Sequence, residues 1–208
     1  MLILNGLQVT AAMALVGAVF TMILGIAIAM YRFLVPPPLN WLGNLYVDGI
    51  RSMPLVLYLV LIFTVLPVPP FQRAVFALAT FNAAFIAEII RSAIQSLDTN
   101  QFRAAALLGM NDYEIYMTIA LPQALARMIP AFVNQLNTLL KDTSLVSLGI
   151  LELAKAGEIL MERAGHHALS VIVIMGGLYF ILCLGLSLLG QWLEKVMRPW
   201  QTRLSIIR

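Results

Sequence analysis

From Val9 to Leu34 the chain is an almost unbroken apolar run, and no charge interrupts it before Arg32. A helix needs roughly 20 such residues to cross a hydrocarbon core of about 30 Å, so this segment alone is long enough to span a bilayer. It is too long for the apolar part of a cleaved signal and no basic segment precedes it, so it reads as a retained first span. Composition extends the point to the whole chain. Of its 208 residues 61% are hydrophobic and 11% charged, against about 25% charged in ordinary soluble domains. A water-soluble chain of this kind would expose large adhesive patches. The reading is an all-α integral membrane protein: one domain over residues 1–208, with about five transmembrane helices and lipid around it.

Pattern and punctuation divide the chain. Span one runs from Leu7 to Leu34 and is closed by Pro36, Pro37 and Pro38. Trp41 to Ile50 mixes aromatic, polar and apolar residues as an interfacial elbow would. Span two is built on Met53 to Leu66; that core is short, which predicts a helix starting before Arg51, and Pro67, Pro69 and Pro70 end it. Span three covers Arg73 to Ile94, a cytoplasmic segment 96–121 follows, and span four runs from Pro122 to Leu153 with a kink at Pro130. A polar re-entry, Lys155 to His167, leads to span five, Ala168 to Val196. With the N-terminus outside, Arg32, Arg51, Arg91, Arg103, Arg127, Lys195, Arg198, Arg203 and Arg208 lie inside, and Arg73, Lys155 and Arg163 outside. That bias fits the positive-inside rule and puts the C-terminus in the cytoplasm. No internal repeat of the secondary-transporter type is visible.

The cytoplasmic segment carries its own helix signals. Asp98 with Gln101 three residues later has capping-box spacing, Phe102 to Leu108 continues as helix, and Gly109 fits a C-terminal stop. Asn111 with Glu114 restarts a helix in the same way, and Pro122 pre-sets the start of span four. The expected product is a short amphipathic helix along the membrane, with Ala104, Ala105 and Ala106 allowing close approach by another protein. Two capped helices are an elaborate way to build a mere connection.

Span four holds a polar stripe. Asn134, Asn137, Thr138, Lys141 and Ser144 fall within roughly 120° on a helical wheel, and Asp142 lies just beyond. A lysine near the bilayer centre costs about 2.5–3.5 kcal/mol on insertion scales, so it faces a cavity or a partner. Two roles stay open: Lys141 and Asp142 lock the fold by pairing, or they hold the carboxylate and ammonium of an amino acid. Glu88 and Arg91 have the spacing of an intrahelical ion pair, and the role of Arg51 is open.

Other residues carry less. His166 and His167 are adjacent, so their side chains diverge, and no metal site is expected. Glu152, Glu158 and Glu162 with Lys155 and Arg163 suggest a solvated external helix face. Cys183 is the single cysteine and sits in an apolar run, a packing position. There is no phosphate loop of the form GxxxxGK[ST], no nucleophile–base arrangement, and no basic run suited to nucleic acid.

The spacing from Ala104-Ala105 through Gly109 to Ile119-Ala-Leu-Pro122 resembles the EAA loop of the permease subunits of bacterial ATP-driven (ABC) importers. Glu88-Ile-Ile-Arg91, Ile94-Gln95-Ser96, Leu121-Pro-Gln-Ala-Leu125, Pro130, Asn134 and Lys141-Asp-Thr-Ser-Leu145 resemble its polar amino-acid branch, as does Arg51-Ser-Met-Pro54. The resemblance implies a type I ABC importer permease fold in the bacterial inner membrane. It also implies a pair of permease subunits, identical or homologous, above a dimer of ATP-binding subunits, and an extracytoplasmic amino-acid-binding protein. ATP and its magnesium would sit on the ATPase, with no cofactor on this chain. Asp98, Gln101, Arg103, Ala104, Ala105, Leu108 and Gly109 would couple to the ATPase; Asn134, Asn137, Thr138, Lys141, Asp142 and Ser144 would line the substrate path. The closest motif likeness is to permeases for acidic amino acids, which points to glutamate, aspartate or glutamine.

The family usually has glutamate where this chain has Arg103, so a carboxylate's pairing with a basic ATPase residue would become a repulsion. That departure suggests a partner permease that keeps the glutamate. A competing class, an ion- or proton-coupled secondary carrier, would use Glu88, Lys141 and Asp142 as relay groups. It leaves the capped cytoplasmic helix unexplained.

Overall fold

The computed structural model describes residues 1–147, 149–164 and 168–205. His166, His167 and Arg208, and the side chains of Arg198 and Arg203, lie outside that description. The described residues are helical with short connections and no strand. Four helices are long and apolar enough to cross a membrane, or five if one bent pair counts as a span.

Helix α1, Leu2–Leu34, is the first span. It packs along α4, Pro70–Gln95, through small residues. A Cβ at Gly25 would lie 2.5 Å from Ile86 Cγ2, so only glycine lets the backbones come this close. Close approach through small residues is how helices gain packing energy in lipid, where apolar burial offers none. The core between them forms two apolar clusters. Ala29, Ala87, Ile90 and Met128 centre one toward the 96–121 loop, and Met13, Leu59, Leu78 and Val146 centre the other.

Span two departs from the expected continuous helix. It is two helices, α2 (Trp41–Ser52) and α3 (Leu55–Val65), bent by 111°. Met53 is extended, as the residue before Pro54 is forced to be, so the chain turns there and α3 starts afresh. With 11 residues α3 is only about 16 Å long, half a bilayer. Arg73 stitches its far end, donating from Nε to the Val68 carbonyl and from Nη1 to the Phe63 carbonyl.

Span four also starts earlier than expected. Helix α6 (Asp112–Glu114) runs through a π-helical segment, Ile115–Ala120, straight into α7 (Leu121–Asp142). Pro122 therefore sits inside a longer helix rather than opening it. It has no N–H to give and its ring crowds the carbonyl one turn back, and widening that turn accommodates both. α7 ends in a 3₁₀ turn, Thr143–Val146, well short of Leu153. Helix α8 (Leu153–Ala164) occupies the supposed polar re-entry, and α9 (Ala168–Ser205) is the last span, apolar over Ala168–Val196.

Candidate functional site

The loop 96–121 is built as a braced knob. Helix α5, Thr99–Leu107, starts at Asp98, whose carboxylate accepts the Asn100 N–H at 3.0 Å. The reciprocal half of the expected capping box is absent. Gln101 instead accepts from Gln123 Nε2 at 2.9 Å, which ties α5 to α7. Gly109 adopts φ +89°, a left-handed conformation that favours glycine. Around it the Met110 N–H bonds the Ala105 carbonyl and the Gly109 N–H bonds the Ala106 carbonyl, a Schellman stop. Asn111 and Glu114 form the full capping box, at 2.8 and 3.0 Å.

The outer surface of the knob presents apolar side chains and the cation Arg103, with the exposed acids Asp98, Asp112 and Glu114 at its edges. Leu107 and Leu108 are 89% and 85% exposed, Ala104 and Arg103 are exposed, and Tyr113 is 61% exposed. Ala105, expected on this surface, is 4% exposed and faces inward. Behind the knob Phe102, Tyr116 and Phe33 form a ring ladder with centroids 6.4 and 4.9 Å apart, reaching from α5 through the π segment to α1.

The stripe on α7 splits in two. Arg127, Ala131, Asn134, Thr138 and Lys141 form an exposed line up the helix. Lys141 has no ion-pair or side-chain hydrogen-bond partner among the described residues, and Asp142 does not pair with it. Asp142 accepts from Asn82 Nδ2 at 3.4 Å, while the Asn82 amide also bonds the Leu78 carbonyl at 3.0 Å and takes Gln135 Nε2 at 2.6 Å. Asn82 is fully buried on α4. Asn137 leaves the stripe: it donates to Ser187 of α9 at 2.9 Å, and its buried Oδ1 has no partner among the described residues. Ser144 turns back onto the Lys141 carbonyl.

Glu88 is more than half of an intrahelical pair. Both its oxygens accept from Arg91 Nε at 3.0 Å, Oε2 takes Arg32 Nη1 at 3.0 Å, and Arg51 stands 3.7 Å away. Arg32 is nearly buried and also donates to Asn44 at 2.7 Å. Sequence spacing could show the Arg91 contact but not those from α1 and α2.

Glu152 corrects the solvated-face reading. It is fully buried ahead of α8 and accepts the Ala154 and Lys155 N–H groups, each at 2.7 Å, and the Tyr179 hydroxyl at 3.1 Å. Thr10 accepts the neighbouring Leu153 N–H. Burial pushes the Glu152 carboxyl above the usual range, and those donors partly oppose it. Lys155 and Glu158 keep the predicted surface pair, at 2.7 Å, and Glu162 and Arg163 are exposed as expected.

The sequence profile of the family described as "binding-protein-dependent transport system inner membrane component" matches residues 21–199. The arginine transport system permease protein ArtQ of Bacillus subtilis is 32% identical over 94% of this chain and 92% of its own length. The glutamate/aspartate import permease protein GltK of Escherichia coli is 32% identical over 93% and 92%. Among solved structures, an amino acid ABC transporter crystallised with histidines superposes with a TM-score of 0.83 at 28% identity, covering 93% of each chain. A methionine ABC transporter, MetNI, in an inward-facing conformation matches in fold, with a TM-score of 0.80 at 20% identity over 94% of this chain and 96% of its own.

Proposed function

Since the chain belongs to the family of binding-protein-dependent transport system inner membrane components, we propose that it forms half of the pore of an ATP-driven importer for an acidic or polar L-amino acid. One observation carries this reading. The face formed by Arg127, Asn134, Thr138 and Lys141 is exposed and polar in a bundle whose other exposed surface is largely apolar. Lipid does not tolerate such a face, whereas a water-filled path between two permease subunits does.

The α5 knob supplies the cytoplasmic contact. Leu107 and Leu108 seat in a cleft of an ATP-binding subunit, where ATP with its magnesium supplies the energy for closure. Movement of α5 passes to α7 through Gln101–Gln123 and to α1 through the Phe102–Tyr116–Phe33 ladder. Arg103, Ala104, Leu108 and Gly109 form or shape the docking surface, while Asp98, Gln101 and Ala105 hold it in place. The N-terminus lies outside, the C-terminus in the cytoplasm, and an extracytoplasmic binding protein delivers cargo. Of the substrate-path residues, Asn134, Thr138 and Lys141 face the path, while Asn137, Asp142 and Ser144 set the helix that carries them.

Purification from the native membrane in mild detergent, followed by reconstitution, tests this. The expected result is co-purification of an ATP-binding subunit and amino-acid uptake that stops without ATP. Recovery of the chain alone, carrying amino acid in vesicles without ATP, overturns it.

A further inference from the structure

Between α4 and α7 lies a cavity of about 570 Å³, within the range of small-molecule sites. Its polar lining is Arg51, Glu88, Ser92, Ser96, Arg127 and Gln135. Glu88, the one acid there, is saturated by Arg91 and Arg32. Asp48 on α2 is the other acid acting on this cluster. Four guanidiniums (Arg32, Arg51, Arg91 and Arg127) thus stand against two carboxylates.

The two arginines that line the cavity are the least committed of the four. Arg51 reaches Glu88 only at 3.7 Å, lies over the Phe85 ring at 5.8 Å and is 39% exposed. Arg127 pairs with no carboxylate among the described residues. Its Nη1 donates to the Ser96 carbonyl and hydroxyl at 3.0 and 3.3 Å, which engages one of the guanidinium nitrogens and leaves the others free. A cationic ligand would be repelled here, and a neutral one would leave the Arg127 guanidinium uncompensated and Arg51 with only its distant share of Glu88. A carboxylate answers both, and arginine's planar fork suits it. Gln135 gives its amide nitrogen to Asn82, which leaves its carbonyl oxygen as an acceptor for an ammonium group.

We propose that this cavity selects an anionic cargo, an acidic amino acid, with Arg127 and Arg51 receiving its side-chain carboxylate. The proposal rests on the importer reading and narrows it to a charge class.

Binding of L-glutamate, L-glutamine and L-arginine to the purified permease–ATPase complex, without binding protein, tests it by calorimetry. ATP-driven uptake of the same three amino acids is measured on the reconstituted system. L-glutamate is expected to bind wild type at least tenfold more tightly than the other two, Arg127→Gln to lose that tenfold, and Arg127→Lys to keep most of it. Equal binding of L-glutamine or L-arginine overturns the proposal. So does undetectable L-glutamate binding by wild type, or unchanged binding by Arg127→Gln. Where those results come with intact ATP-driven uptake, only the cavity proposal falls. Absence of ATP-driven uptake of any of the three sinks the importer reading itself.

Discussion

Replacing Glu88 by Gln is the sharpest probe of how the half of the bundle nearest the 96–121 loop is held. The change removes the charge that three arginines share but keeps the side-chain volume. Arg32 is 9% exposed, and without the Glu88 charge it keeps only neutral acceptors, Asn44 and the amide oxygen at position 88. Removing one partner of a buried pair costs about 3–5 kcal/mol, and the residual exposure of Glu88, 19%, argues for the lower end. Arg91 is 31% exposed, so its share is discounted to under about 1 kcal/mol for solvent screening. The total is about 3–4 kcal/mol. At roughly 2–4 °C per kcal/mol for a domain of this size, the apparent Tm should fall by about 6–16 °C. Arg91→Gln should lower it by about 2–4 °C, because Glu88 still holds Arg32. The double variant Glu88→Gln with Arg32→Gln should lose less than the sum of its parts, since the uncompensated charge is gone. Heating detergent-solubilised protein and measuring the monodisperse fraction by fluorescence-detected gel filtration reads all of these. A fall under about 3 °C for Glu88→Gln, or an equal fall for Arg91→Gln, refutes the account.

Gly25→Ala puts a methyl 2.5 Å from Ile86 Cγ2; overpacking of this kind costs about 1–3 kcal/mol, and an unshifted Tm in the same heating assay would show that α1 and α4 yield freely. For Glu152 the folded carboxyl is held above its unfolded value by burial, so the folded state keeps the proton to higher pH. Its contribution to stability is fullest below about pH 4.3 and declines as pH rises toward the folded value; the apparent Tm should fall from pH 5 upward, and Glu152→Ala should flatten that slope while losing about 1 kcal/mol of helix capping. Arg103→Glu reverses an exposed charge on the docking knob, and about 1 kcal/mol of surface electrostatics predicts a roughly fivefold rise in the ATPase rate stimulated by the binding protein. An unchanged rate would mean that the position carries no coupling.

What the sequence revealed and what it hid follow one physical division. Features written in local spacing were legible: the apolar spans, the Gly109 stop, the Asn111–Glu114 box, the Glu88–Arg91 pair and the polar line of Asn134, Thr138 and Lys141. Features made by distant segments were not. Asp142 looked like a partner for its neighbour Lys141, but its carboxylate meets Asn82, sixty positions away on α4, and one helical step turns the two side chains apart. Glu152 looked solvated because charged neighbours follow it, yet Thr10 and Tyr179 close over it from the two ends of the chain. Prolines misled in both directions. Pro54 breaks a span that hydrophobicity alone would have made continuous, while Pro122 is absorbed by a π turn where it seemed to open a helix. The acids are the instructive case. Counted along the chain, Glu88 balances Arg91, and Asp142 beside Lys141 suggests a zwitterion site on α7. In space Glu88 is shared by arginines from α1, α2 and α4, and Asp142 is met by an amide. The uncompensated charge that remains near the candidate path, on Arg127 and Lys141, is entirely positive, so the sign of the proposed cargo follows from the folded charge pattern and could not be read from composition.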